Sequence, residues 1–187
     1  MKRFSQQFRS GRRRWWLAAT GLLLVAVVSA GCSGESNTVA ADEAATTDSP
    51  IASMPFSRAD GSQSQLSDYY GQPLVVNFFA SWCPPCKAEL PDIDAVHLEA
   101  KGEVKVLGIS HDFTTEVWQD LIAETGIDFE TVYQPDREIF IELELFGMPS
   151  TILINPEGEI VHTHQGIINA ESLKALISEH LQVEVSP

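Results

Sequence analysis

Apolar residues crowd together at Pro73-Leu74-Val75-Val76-Asn77-Phe78-Phe79-Ala80, a short, nearly unbroken run typical of a strand buried on both faces. Upstream, Phe56 to Leu66 reads as a short hairpin turning at Asp60-Gly61, and Ser67 to Gly71 as a helical turn closed by glycine. Downstream, good helix formers from Lys87 onward predict a helix reaching Glu99 or Ala100, kinked at Pro91. Val104 to Ser110 is the next strand. Thr115 to Thr125 is the next helix, with Val117, Leu121 and Ile122 on one side and Gly126 at its end. Phe129 to Tyr133 reads as a short strand and Arg137 to Leu145 as a helix. Ser150 to Ile154 turns at Pro156-Glu157-Gly158 into Glu159 to His164, a second hairpin. Ala170 to Leu181 closes the chain as an amphipathic helix, with Leu173, Leu176 and Ile177 at helical spacing. Strands separated by helices, then a terminal hairpin and helix, predict an α/β three-layer sandwich. No internal repeat is visible.

The amino end follows another pattern. Lys2, Arg3, Arg9, Arg12, Arg13 and Arg14 precede an apolar stretch from Trp15 to Ala30, and no acidic residue interrupts them, so residues 1–31 read as a secretory signal. Ser29-Ala30-Gly31-Cys32 resembles a bacterial lipobox, whose cysteine is lipidated and becomes the first mature residue, although Ser29 stands where an aliphatic residue is usual. The uncharged twenty residues from Trp15 to Gly34 are also long enough for an uncleaved membrane helix. Arg13-Arg14 before Trp15-Trp16-Leu17 loosely resembles a twin-arginine signal. Each reading places the remainder outside a bacterial cytoplasmic membrane, in the periplasm or cell envelope, held by a lipid or an N-terminal helix. Residues 32–53, rich in Ala, Ser, Thr, Asp and Glu, read as a flexible tether.

Charge narrows the partners. Six of the 12 basic residues and none of the 26 acidic ones precede Cys32, leaving −20 after it. Nucleic-acid binding is excluded as a working reading. The segment 54–187, about 130 residues, suffices for one domain with one core, expected as a monomer.

Two of the three cysteines, Cys83 and Cys86, follow the central strand at CxxC spacing. Pro84 suits the first position of a helix, so the pair belongs at a helix start, where partial positive charge and free N–H groups favour a thiolate. Cys83 is then the exposed nucleophile and Cys86 the buried resolving thiol of a redox-active disulfide. Half a zinc site and a permanent structural disulfide are the competing readings. A second CxxC or CxxH pair is absent, and so short a loop constrains the unfolded chain little.

Together, Asn77-Phe78-Phe79-Ala80-Ser81-Trp82-Cys83-Pro84-Pro85-Cys86, Gly147-Met148-Pro149-Ser150-Thr151 and Ile154-Asn155-Pro156-Glu157-Gly158 resemble the thioredoxin superfamily, in its extracytoplasmic branch represented by TlpA, ResA and CcmG. The match spans Met54 to Leu181. It implies a thioredoxin-like three-layer α/β/α sandwich with an N-terminal β-hairpin and a central αβ insertion between about Asp112 and Leu145. It further implies that Met148-Pro149 forms a cis-proline loop packed against the CxxC, with the Met148 backbone and Trp82 meeting a bound substrate.

Where thioredoxin carries a buried aspartate, this chain has Asn77, which cannot exchange a proton at neutral pH. Glu89, three residues after Cys86, matches a ResA-type glutamate and is a candidate proton carrier, against a solvated glutamate on the first turns of a helix. Pro84 and Pro85 each lack an N–H, leaving Cys86 as the nearest donor to the Cys83 sulfur. That predicts a thiol of moderate acidity, suited to a reductant. The expected function is a protein-disulfide reductase without a cofactor or metal. The resemblance implies a role in cytochrome c maturation on apocytochrome c, with a membrane thiol carrier as electron donor. A peroxiredoxin-like peroxidase and a copper-binding cytochrome oxidase assembly factor are the alternatives. His162 and His164 alternate on one strand and share a face, as metal ligands or as an ordinary strand surface; His97 and His111 have no partner pattern.

Overall fold

A computed structural model describes residues 49–186. The readings at Cys32, at the signal and at Trp15 to Gly34, with most of the tether, lie outside the described residues. The elements are β1 (Pro55–Ser57), β2 (Gln63–Gln65), β3 (Leu74–Phe79), α1 (Pro84–Ala100), β4 (Lys105–Ser110), α2 (Thr115–Thr125), β5 (Glu130–Tyr133), α3 (Glu138–Glu142), β6 (Ser150–Ile154), β7 (Ile160–Gln165) and α4 (Ala170–Leu181). One sheet of seven strands runs in the order β2-β1-β5-β4-β3-β6-β7. The strands β3, β4 and β5 are parallel to one another, while β6 runs antiparallel to β3, and β7 antiparallel to β6 with a register shift at Leu153/Ile154.

Alternation along β3 sets the layers. Leu74, Val76 and Phe78 face the apolar cluster that contains Ile139 and Phe140 of α3 and Ile51 of a 3₁₀ turn over Pro50–Ser53. Val75 and Phe79 face the cluster formed with α1, α2 and α4. Asn77, between Val75 and Phe79 in this two-residue period, therefore lies on the α1 side in the centre of the sheet. Burial of Ile51 and Ala52 extends the packed chain upstream of Met54, its expected first residue. Among the described residues, no helix is long and apolar enough to cross a membrane.

Two elements, α2 and α3, differ from the sequence expectation. Left-handed Gly126 ends α2, as the pattern predicts, and Thr114 caps its start, but Val117 is 44 % exposed and Trp118 is buried in its place. Trp118, Leu121 and Ile122 form the packed line because the indole has more apolar surface to remove from water. Its Nε1 donates to Thr131 Oγ1 at 3.2 Å and its ring stacks on Tyr133. Helix α3 spans five residues, not the nine from Arg137 to Leu145, because left-handed backbone at Arg137 and Glu144 bounds it. Helix α1 runs on through Pro91, which sits on its exposed face, where water can serve the carbonyl left without its helical partner.

Candidate active site

Pro84 and Pro85 open α1, and Cys83 caps it. Cys83 and Cys86 form a disulfide with Cα atoms 5.3 Å apart. The Cys86 backbone N–H donates to Cys83 Sγ at 3.3 Å. Cys86 is fully buried, and Cys83, expected as the exposed thiol, retains only 5 % of its surface in the oxidised pair. The turn before it is anchored from β4. Buried Asp112, just past the end of β4, accepts from the Ser81 N–H at 2.9 Å and the Ser81 hydroxyl at 2.6 Å, and Ser110 Oγ donates to its other oxygen at 2.9 Å. The next residue, Phe113, stacks on Trp82 with ring centroids 6.2 Å apart. Parallel pairing of β3 with β4, ending at Phe79 opposite Ser110, is what brings these two loops together.

The Met148–Pro149 peptide bond is cis. A depression of about 380 Å³ beside the disulfide is lined by Trp82, Cys83, Pro84 and Pro85 on one side and by Arg137, Phe140, Phe146, Gly147 and Met148 on the other. Trp82 is 47 % exposed, and Phe146, whose N–H donates to Gln165 Oε1, is 90 % exposed. Trp82, Cys83 and Met148 thus border one depression.

Glu89 occupies the buried stripe of α1 formed by Cys86, Leu90, Ile93, Val96 and Ala100, one turn beyond Cys86. Its Oε1 accepts from Asn77 Nδ2 at 2.8 Å and its Oε2 from the Ile168 N–H at 2.9 Å. Asn77 Nδ2 also donates to Thr151 Oγ1 at 3.1 Å. Removal from water outweighs the two hydrogen bonds and, with a smaller contribution from the Asp92 charge, raises the carboxyl pKa from 4.5 to about 7. The alternative of a solvated glutamate is thereby overturned, since the helix turns this residue into the core.

Residues 45–163 match the AhpC/TSA family. The chain belongs to the AhpC/TSA family. It is 33 % identical to the thiol-disulfide oxidoreductase ResA of Oceanobacillus iheyensis over 121 residues, 64 % of this chain and 63 % of that relative. The ResA of Bacillus subtilis is 27 % identical over 157 residues, 83 % of this chain and 87 % of the relative. Among solved structures, the exposed lipoprotein thioredoxin of Streptococcus pneumoniae superposes with a TM-score of 0.57 at 26 % identity, covering 67 % of this chain and 98 % of that one. The fold is that of the thioredoxin superfamily, and the chemistry is that of a thiol–disulfide oxidoreductase.

Within this AhpC/TSA domain several functional neighbours escaped the sequence reading. Asp112 and Phe113 lie some thirty residues from the turn they hold, and their one sequence signal is position, at the carboxyl end of a predicted parallel strand. Arg137 and Phe146 reach the disulfide from either side of α3. His111 packs between Phe78 and Phe140, its Nδ1–H donating to the Gln134 carbonyl, and burial lowers its pKa to about 4. His162 stacks on His180 of α4, with centroids 4.4 Å apart, and His164 faces the Ile167 carbonyl. His97 lies edge-on to Phe129.

Proposed function

We propose that this oxidoreductase works outside the cytoplasmic membrane as a tethered reductase of protein disulfides. The observation that carries the reductive direction is the single backbone donor at the Cys83 sulfur, the Cys86 N–H. A helix start offers several such groups, and Pro84 and Pro85 remove two, so Cys83 gains modest thiolate stabilisation and remains a good attacking sulfur near neutral pH. The basic and apolar leader supports the location, and the exposed lipoprotein nature of the pneumococcal relative agrees with it.

The cycle follows from the two sulfurs. Cys83 thiolate attacks one sulfur of a substrate disulfide, the substrate S–S bond breaks, and the departing thiolate takes a proton. Cys86 thiolate then attacks Cys83 Sγ, reforming the internal disulfide and releasing the second substrate thiol, so two electrons and two protons pass to the substrate. Glu89, protonated for half its population near pH 7, takes up the Cys86 proton as that thiol becomes a nucleophile. Met148 and Trp82 border the depression in which the substrate chain lies. An external dithiol, carried by a membrane protein, restores the reduced form. Apocytochrome c cysteine pairs are the proposed client class, and Cys32 the proposed lipid attachment point.

Trapping tests this reading. Full-length Cys86→Ala protein expressed in a host envelope is expected to accumulate mixed disulfides through Cys83 with proteins bearing CxxC pairs, identified by mass spectrometry after non-reducing separation. Capture of oxidised folding clients alone, or a Cys83 thiol titrating near 3.5 as in strong oxidants, would overturn the reductive direction.

A further inference from the structure

Of the residues that line the depression beside Cys83, Arg137 is the one that carries a charge. Six cationic side chains occur among the described residues. Arg58 and Lys105 both pair with Glu130, Lys87 with Glu124 and Lys174 with Glu99. Lys101 stands at the far end of α1, about 25 Å of helix from the disulfide. Arg137 is therefore the one cation at the disulfide end that no carboxylate among the described residues engages. Its neighbours Asp136 and Glu138 are exposed and form no ion pair with it. Left-handed backbone at φ 59° sets it at the edge of the depression just ahead of α3.

An unpaired arginine on so acidic a chain is the counterpart of an anion, and a guanidinium binds a carboxylate through two parallel N–H donors. We propose that Arg137 is a specificity-determining residue that binds a carboxylate side chain of the substrate polypeptide. The occupant is an extended segment whose cysteine meets Cys83, whose adjacent aromatic or aliphatic side chain packs on Phe140, Phe146 and Trp82, and whose Asp or Glu reaches Arg137. In an extended chain, side chains two residues apart share a face and stand about 7 Å apart, so a cysteine and an acidic residue at that spacing enter the same depression. The acidic position thus lies two residues from the cysteine. The rest of the acidic surface repels anionic chains, so this contact selects their register at the disulfide as well as their affinity.

The inference rests on the thiol–disulfide reading, and the test separates the two. Full-length protein is reduced with dithiothreitol, freed of excess reductant, and mixed with synthetic peptides carrying one intramolecular disulfide and Glu, Gln or Lys two residues from the attacked cysteine. Rates are followed by acid quenching and chromatographic separation of reduced from oxidised peptide, since exchange conserves the total number of thiols. At low ionic strength the Glu peptide is expected to exceed the Gln peptide in second-order rate constant by about fivefold, with Lys slowest. Arg137→Gln is expected to bring the Glu/Gln ratio to about one, and Arg137→Lys to keep part of it. Each ratio is taken within one protein, so a general loss of activity cancels. Equal rates for Glu and Gln in the unaltered protein, or a ratio that survives Arg137→Gln, would overturn the assignment while leaving disulfide exchange intact. Failure to reduce any peptide, and an uncharged small disulfide as well, would remove both.

Discussion

Asn77 Nδ2 donates to Glu89 Oε1 at 2.8 Å, linking the middle of β3 to the buried face of α1 directly behind the disulfide. A neutral amide occupies the strand and the titrating carboxyl is carried by the helix. Of this pair only the helix's carboxyl can exchange a proton near neutral pH, and its pKa is raised from 4.5 to about 7 chiefly by burial.

The sign of the linkage is fixed by that shift. The folded state holds the Glu89 proton to higher pH than the unfolded chain, so the stability associated with the neutral acid is complete below about pH 4.5 and lost as pH rises through about 7. The loss amounts to about 3 kcal/mol. Glu89→Gln should abolish it, leaving the variant's unfolding free energy, measured in urea, without this fall between pH 4.5 and 8. Its disulfide-exchange rate should also lose the dependence that titrates near 7.

His111 works in the other direction. Its pKa is lowered from 6.5 to about 4 by burial, so it folds neutral and its contribution is complete above about 6.5 and lost as pH falls through about 4. Between about 4.5 and 6.5 the two groups oppose each other, and the unaltered protein should show a nearly flat stability profile there. His111→Gln should uncover a profile that falls with rising pH, and Glu89→Gln one that rises. Denaturation at half-unit pH intervals distinguishes the three curves, and parallel curves would contradict the assignment.

Gly108 lies in β4 where a methyl group has no room. A Cβ there would stand 2.8 Å from Phe79 Cε1, 2.9 Å from Phe129 Cε2 and 3.1 Å from Thr131 Cγ2. Gly108→Ala should cost about 1–3 kcal/mol through displaced rings, read as a lower urea midpoint with an unchanged slope.

Asp112 holds Ser81 by two hydrogen bonds and Ser110 by a third. Asp112→Ala strands the Ser81 N–H in a partly buried turn and should destabilise the fold by about 3 kcal/mol, while Asp112→Asn, which keeps an acceptor, should cost less. Exchange kinetics should slow with alanine and largely recover with asparagine, because the carboxylate positions the turn that carries Trp82 and Cys83.

Much of this site was legible in the chain because its signals are local. The CxxC spacing, the apolar run before it and the helix formers after it specify strand, turn and helix together, and Gly126 marks the helix end where α2 stops. Burial of Glu89 was half legible, since its place on the apolar stripe of α1 can be counted from Cys86, Leu90 and Ile93. Asp112, Phe113, Arg137 and Phe146 were not legible as site residues, because strand register and loop closure bring them to Cys83, and no short-range pattern encodes either. Val117 misled because i, i+4 spacing to Leu121 fits a helix face as well as Trp118 with Leu121 does, and only packing against Thr131 and Tyr133 decides between them.

The sheet ends on one side in the three-residue β2 and on the other in β7, whose pairing slips at Leu153/Ile154 and whose outward positions carry Thr163 and Gln165. Short, irregular and polar borders are poor templates for another chain to add a strand. Neighbouring copies of the domain therefore meet without a ready route to polymerise.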